Sequence, residues 1–316
     1  MMQGMKYVYE VYKEKSFTGA AKKLFISQPS LSAAVKKVEK ELGVLLFDRG
    51  SFPVRLTDAG IAYIEAMEAI LAIENNLTRK LNDLSQLKTG SLTIGGSNFV
   101  SSYILSKAVA AFSRQYPGIT VHWVESNSNT LHSQVLSESV DLLIDSFEFD
   151  KSLYTSYTLF EEHILLSVPR DHPVNQKLGG FLLTHEEIRD QCHLDGTRPA
   201  VDLKNFRDES FILLKKGNDM HFRALSLCEA NGFEPNVAIY LDQLTTSYNT
   251  SQNGMGIAFV TDTIVNFTGT NNNVVFYKLD GDICTRPLCI AHKKNRYISS
   301  AMEKFILTAR EKSSFP

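Results

Sequence analysis

The sequence predicts an α/β protein in three parts: an N-terminal winged helix-turn-helix, a long linking helix and a two-lobed α/β body. Three observations predict it. FISQPSLSAAVKKVEKELG, residues 25–43, sets a proline between two helical stretches. A single helical pattern then runs from Asp58 to Lys88, and strand and helix patterns alternate from Gly90 onward.

In the head, Ala20, Ala21 and Leu24 fall at helical spacing, with Ser16 and Thr18 both able to cap that helix. Ser27 can cap a second helix, whose first turn accommodates Pro29 because no amide donor is needed there. Leu31, Val35, Val38 and Leu42 repeat on one face, and Gly43 ends the helix. The two alanines let the helices cross closely, and Leu24, Ile26, Leu31 and Val35 fill the angle between them. Gln28, Ser30, Ser32, Ala33, Lys36 and Lys37 turn away from that core. In such a unit the second helix lies in the major groove, where glutamine bonds adenine and lysine reaches phosphate or guanine. Leu45, Leu46 and Phe47 anchor the next stretch. Arg49 to Pro53 turns, and Val54-Arg55-Leu56 returns as the second strand of a wing.

Charge agrees with a nucleic-acid partner for the head. The net charge of −2 divides into ten basic and six acidic residues over 1–58, for +4, and −6 on the rest.

The pattern S-F-T-x-A-A, S-Q-P-x-x-S, V-E, L-G, L-F-x-R and L-T-x-A-G resembles the winged helix-turn-helix of LysR-type transcriptional regulators. Two positions depart from it: Ala33 stands where a basic residue is frequent, and Phe52 where the wing often carries arginine. The resemblance implies a head over 1–58, a linker and dimerisation helix over 59–89, and an effector domain over 90–316. Lobe I of that domain takes about 90–165 and 265–316, and lobe II about 166–264. It further implies a transcription regulator and not an enzyme, binding double-stranded DNA at a pseudo-palindromic operator as a homodimer or homotetramer. The DNA-facing set is Thr18, Ser27, Gln28, Pro29, Ser30, Ser32, Ala33, Lys36, Lys37, Arg49, Arg55 and Thr57.

In the linker, Asp58 is the expected cap and Thr89-Gly90 the stop. Tyr63, Met67, Ile70, Leu77, Leu81 and Leu84 keep coiled-coil spacing, interrupted by Glu74. A lone helix cannot bury that stripe on itself, so it pairs with another subunit or packs on its own domains; the resemblance favours pairing.

In the body, strands are expected at 92–96, 119–124, 141–145, 211–214, 237–241, 256–260, 274–279 and 288–294. Helices are expected over 102–116, 129–139, 220–232, 242–254 and 298–311. This arrangement resembles the periplasmic-binding-protein-like effector domain of the family, with a small-molecule effector between the lobes. Ligands of open α/β sheets sit beyond the carboxyl ends of strands. The cleft is therefore expected to draw on Ser97, Asn98, Phe99 and Ser101, then Ser128 and Asn129, then Ser146 and Phe147. The second lobe supplies Asp219, Met220, His221, Thr245 and Thr261. Hydroxyls and amides at a helix start suit an anion, while Asp219 disfavours a plain dicarboxylate relative to an amphoteric or neutral-tailed compound. The stretch 175–208 is longer than the family's usual connection between lobe strands.

No apolar run approaches the roughly 18 residues of a membrane span, and the N-terminus lacks a signal-peptide core. Four cysteines in 316 residues do not make a disulfide scaffold, so a cytoplasmic protein with no membrane partner is expected. The sequence has no G-x-x-x-x-G-K-[ST], H-E-x-x-H or G-x-S-x-G motif, and its eight histidines show no ligand spacing. Neither a metal nor a cofactor is expected.

Overall fold

The computed structural model describes residues 2–48, 50, 53–83, 90–269 and 272–312. Arg49, Ser51, Phe52, Leu84, Lys88 and Thr89 lie outside the described residues, as does the side chain of Leu81. The chain divides into two compact units, Met1–Thr78 and Arg79–Pro316.

The first unit begins with a helix the sequence reading passed over, α1 (Met2–Glu14), whose Val8 and Val11 are fully buried. In α2 (Phe17–Lys23), Ser16 is the cap and accepts from the Gly19 amide at 3.1 Å, which leaves Thr18 exposed within the first turn. α3 (Gln28–Leu42) starts from a Ser27 cap, holds Pro29 in its first turn and stops at Gly43, whose φ of 72° favours glycine. Ala20, Ala21, Leu31 and Val35 join Val8, Val11, Leu46, Phe47 and Ile64 in one core.

Two expected core residues are exposed instead: Leu42 at 47% and Leu45 at 64%. The inward position near the end of α3 belongs to Glu39, whose Oε1 accepts from the amides of Leu46 (2.9 Å) and Phe47 (3.4 Å). The chain therefore turns inward only at Leu46. β1 (Phe47–Asp48) and β2 (Arg55–Leu56) pair antiparallel as the wing, Phe47 opposite Leu56 and Asp48 opposite Arg55.

The cap of α4 (Asp58–Asp83) is Thr57 and not Asp58. Its hydroxyl accepts from the Gly60 amide at 3.0 Å and donates to the Leu45 carbonyl at 2.6 Å. A Cβ at Gly60 would fall 2.0 Å from the Leu46 carbonyl oxygen, so only glycine lets the helix sit this close. Ile64 and Met67 are buried in this unit, whereas Ile70, Ile73 and Leu77 are exposed at 43%, 69% and 59%.

In the second unit, β3 (Gly90–Gly96) leads into α5 (Asn98–Val100), a π-helical turn (Ser101–Leu105) and α6 (Ser106–Gln115). Then come β4 (Ile119–Glu125), α7 (Ser128–Leu136), β5 (Leu142–Asp145) and β6 (Tyr154–Pro169). The second half holds α8 (Val174–Lys177), β7 (Leu182–Leu183), α9 (His185–Arg189), β8 (Ser210–Leu214), α10 (Asp219–Ala230) and β9 (Asn236–Leu241). It closes with α11 (Leu244–Gln252), β10 (Ile257–Thr261), α12 (Asp262–Phe267), β11 (Val274–Lys278), β12 (Thr285–Lys293) and α13 (Ser300–Lys312).

Lobe I is the sheet β4-β3-β5-β12-β6, and lobe II is the sheet β6-β10-β8-β9 with β11 and β7 beside it. β3 runs parallel to β4 and β5, and β8 runs parallel to β9 and β10, which requires crossover connections, here made through helices. β6, unforeseen from sequence, belongs to both lobes. It pairs with β12 from Tyr154 to His163, then with β10 from Ile164 to Ser167. One apolar core, containing Leu92, Phe112, Leu165, Val260, Phe276 and Phe305, covers a face of both sheets.

Candidate nucleic-acid interface and inter-lobe cleft

On the head, Ser27, Gln28, Pro29, Ser30, Ala33, Lys36 and Lys37 are all exposed along the start of α3, and Ser32 is half-buried. Ser27 spends its hydroxyl locally, accepting from the Ser30 amide at 3.3 Å and lying 2.7 Å from the Ser30 hydroxyl. Those bonds tie down the first turn, from which Gln28 is exposed. Arg55 is exposed on the wing strand beside it, while Thr57 is half-buried in its cap. Lys23, also on this unit, is held by Glu10 and Glu14 at 2.6 and 2.9 Å.

Between the lobes lies a cavity of about 60 Å³. Six of the expected residues line it: Ser97, Phe99, Ser128, Ser146, Asp219 and Met220. Asn98 stands at its edge, donating to Glu125 at 3.1 Å and accepting from Thr245 of lobe II at 3.4 Å. Asn129 lies beside Gly217 of the opposite lobe.

Four expected residues face elsewhere, each because its polar group is already used or its ring is packed. Ser101 is buried, donating to the Gly96 carbonyl and accepting from Trp123. Phe147 packs edge-on against His132. The His221 ring bonds the Leu214 carbonyl at 2.6 Å, and Thr261 is the buried cap of α12.

The sequence reading missed the charged heart of the cleft. Arg286 of β12 donates to Glu162 of β6 at 2.7 and 2.8 Å and to Asp219 of α10 at 2.7 Å. Asp219 also accepts from Arg223 at 2.7 Å. Burial opposes the guanidinium charge, but Glu162 and Asp219 outweigh it and hold the proton more tightly than usual. Asp219 is therefore a balanced charge and no free repellent. Asp145 and Asp242 also line the cavity, the latter paired with Lys215 at 2.7 Å.

A family model for the bacterial regulatory helix-turn-helix protein of the lysR family matches residues 2–61, and one for the LysR substrate binding domain matches residues 85–314. The chain belongs to the LysR family.

This LysR-type protein is a DNA-binding transcription regulator with a substrate-binding domain, and not an enzyme. It is 30% identical over 307 residues to the uncharacterized HTH-type transcriptional regulator YcgK of Bacillus subtilis, spanning 97% of this chain and 93% of that one. A probable RuBisCO transcriptional regulator of Synechocystis is 28% identical over 305 residues, covering 96% and 83% of the two chains. Among solved structures, full-length CbnR in complex with its target DNA matches with a TM-score of 0.64 at 18% identity, over 99% and 100% of the chains. A full-length OxyR variant from Pseudomonas aeruginosa matches with a TM-score of 0.65 at 20% identity, over 99% and 97%. At these identities the structures establish the fold. No helix of the described residues is long and apolar enough to cross a membrane.

Of the regulator's four free cysteines, Cys228, Cys284 and Cys289 are buried. Burial pushes the Cys228 thiol up to about 12 and the Cys284 thiol up to about 11, so neither supplies a thiolate at neutral pH.

The histidines are less scattered than their spacing suggests. His163, His193 and Asp262 converge, with Asp262 Oδ2 at 2.9 Å from His163 Nδ1 and 3.0 Å from His193 Nε2. The other oxygen, Oδ1, accepts from the amides of His163 and Thr263. The three candidate ligand atoms lie within 4.8 Å of one another, a convergence that the sequence spacing does not show. Separations of 30 and 69 residues along the chain carry no local signal.

Proposed function

We propose that this LysR-type regulator acts in the cytoplasm as a homodimer, or a homotetramer of two such pairs, reading a pseudo-palindromic operator. Its response is set by a small-molecule effector held between the lobes. The observation that carries the DNA half is the exposed first turn of α3, with Gln28 leading and Lys36 and Lys37 on the same helix. Bidentate contact from Gln28 to an adenine edge supplies sequence preference, and the lysines and Arg55 supply phosphate contacts. Two copies related by a two-fold axis set such helices about one DNA turn apart, hence the pseudo-palindrome.

The effector half rests on the cleft lined by Ser97, Ser128, Ser146 and the Arg286 network. Its lining holds four carboxylates and one guanidinium, with Arg223 and Lys215 behind. That balance favours a neutral or amphoteric polar metabolite over a dianion. An effector that touches both walls of the cleft couples its binding to lobe geometry and through it to DNA.

Capture of genomic fragments on the full chain, followed by fluorescence anisotropy on the best fragment, tests the first half. Gln28→Ala should cost about 1–3 kcal/mol on that fragment and little on random DNA, while Lys36→Ala weakens both alike. Equal specific binding by Gln28→Ala would remove the base-reading role. A thermal-shift screen of metabolites on wild type and on Ser97→Ala/Ser128→Ala tests the second. A compound that stabilises both proteins equally binds outside the cleft.

A further inference from the structure

We propose that His163, His193 and Asp262 form a binding site for one divalent transition-metal ion, of the zinc or cobalt type, at the hinge between the lobes. Each ligand comes from a different element. His163 is the last β6 residue paired in lobe I, with Ile164 the first paired in lobe II. Asp262 opens α12 directly after β10, and His193 is delivered by the long 175–208 stretch.

The donor chemistry selects the ion. Two imidazole nitrogens and one carboxylate oxygen suit a borderline transition metal, whereas calcium and magnesium require oxygen-rich cages. The charge balance asks for a cation. Asp262 is fully buried, and among the described residues its only ion-pair partners are the two histidines. A buried carboxylate needs a compensating positive charge, which a metal ion on Oδ2 would supply.

Two of the three ligand pairs, both on Asp262 Oδ2, are near what coordination needs. The ligand pairs stand 2.9 and 3.0 Å apart as hydrogen bonds. Tetrahedral coordination at about 2.0–2.1 Å spreads such pairs to roughly 3.3–3.4 Å, a change within reach of small side-chain rotations. The metal takes the place of the bridging protons, each neutral imidazole keeping its proton on the ring nitrogen away from the metal; an imidazolium must lose a proton to ligate, so binding weakens at low pH. The His163 side chain is 26% exposed, which gives the ion a way in and water a remaining coordination position. Metal on His193 Nε2 puts a proton on Nδ1, which is buried with no hydrogen-bond partner. That missing acceptor lowers affinity by about 10–100-fold relative to a fully supported site.

The test uses the full chain stripped with a chelator, titrated with zinc by calorimetry and with cobalt by visible absorption. The expected result is one ion per chain and a four-coordinate cobalt band. His193→Gln should weaken zinc at least tenfold, while His122→Gln, on an exposed strand position, should leave it unchanged. His163→Cys keeps a ligand at the half-exposed position and adds a thiolate-to-cobalt charge-transfer band absent from wild type, which reads ligation directly should His193→Gln fail to fold. Unchanged zinc affinity in a folded His193→Gln protein, or no added band in His163→Cys, would overturn the site. So would a wild type that binds neither ion, leaving the cluster a proton-bridged carboxylate alone.

Discussion

Arg286 of β12 meets the Asp219 carboxylate at the start of α10 at 2.7 Å, an ion pair that ties lobe I to lobe II across the cleft. Glu162 holds the other edge of the same guanidinium. Removing the arginine strands the buried Glu162 and leaves Asp219 with Arg223 alone, which costs about 3–5 kcal/mol for a broken buried pair. Arg286→Met should therefore lower the melting temperature of the body sharply in differential scanning calorimetry. Adding Glu162→Gln and Asp219→Asn should restore most of the loss. If the triple variant melts no higher than the single one, the cost lies in packing and not in charge.

Glu39 joins the recognition helix to the wing by accepting from the Leu46 and Phe47 amides. Glu39→Ala leaves both buried donors unmet, a penalty of about 1–3 kcal/mol. Urea unfolding of the head should show it, with specific DNA affinity falling as well because Arg55 loses its fixed place. An unaltered midpoint would mean that water replaces the carboxylate without loss.

The exposed Ile70, Ile73 and Leu77 follow coiled-coil spacing along α4. Ile73→Asp with Leu77→Asp should reduce the assembly by at least one step in sedimentation velocity. It should also weaken operator binding more than non-specific binding, since only the former needs two aligned heads. Sedimentation identical to wild type would show that the stripe is covered within one chain.

Thiol chemistry separates the cysteines. Cys192 is half-buried, and the other three are buried. Brief alkylation of native protein at pH 8 should label Cys192 alone, and denaturant should release all four. Labelling of Cys228 or Cys284 at that pH would contradict thiols held near 12 and 11.

How far the sequence carries depends on how local each signal is. The Ser27 cap, Pro29, the Leu31–Val35 face and Gly43 all act within a few residues, and α3 follows from them. Glu39 was invisible because its burial is repaid by amides seven and eight residues on. β6 hid for a similar reason: YTSYTLFEE breaks the apolar alternation, and its Glu162 is buried only through Arg286, 124 residues away. Their place after a strand points His221 and Ser101 at the cleft, yet neighbouring carbonyls claim them. The hinge cluster needs three distant segments to meet, which no local pattern encodes.

The shared strand β6 constrains what an effector can say to the DNA. Because its backbone is bonded to both sheets without interruption at His163 and Ile164, the lobes cannot slide past each other without breaking ladder bonds on one side. They can only turn, like two pages sewn to one spine. A ligand held between the lobes, as proposed above, would thereby be translated into an angle, and an angle grows into a larger displacement with distance from its axis.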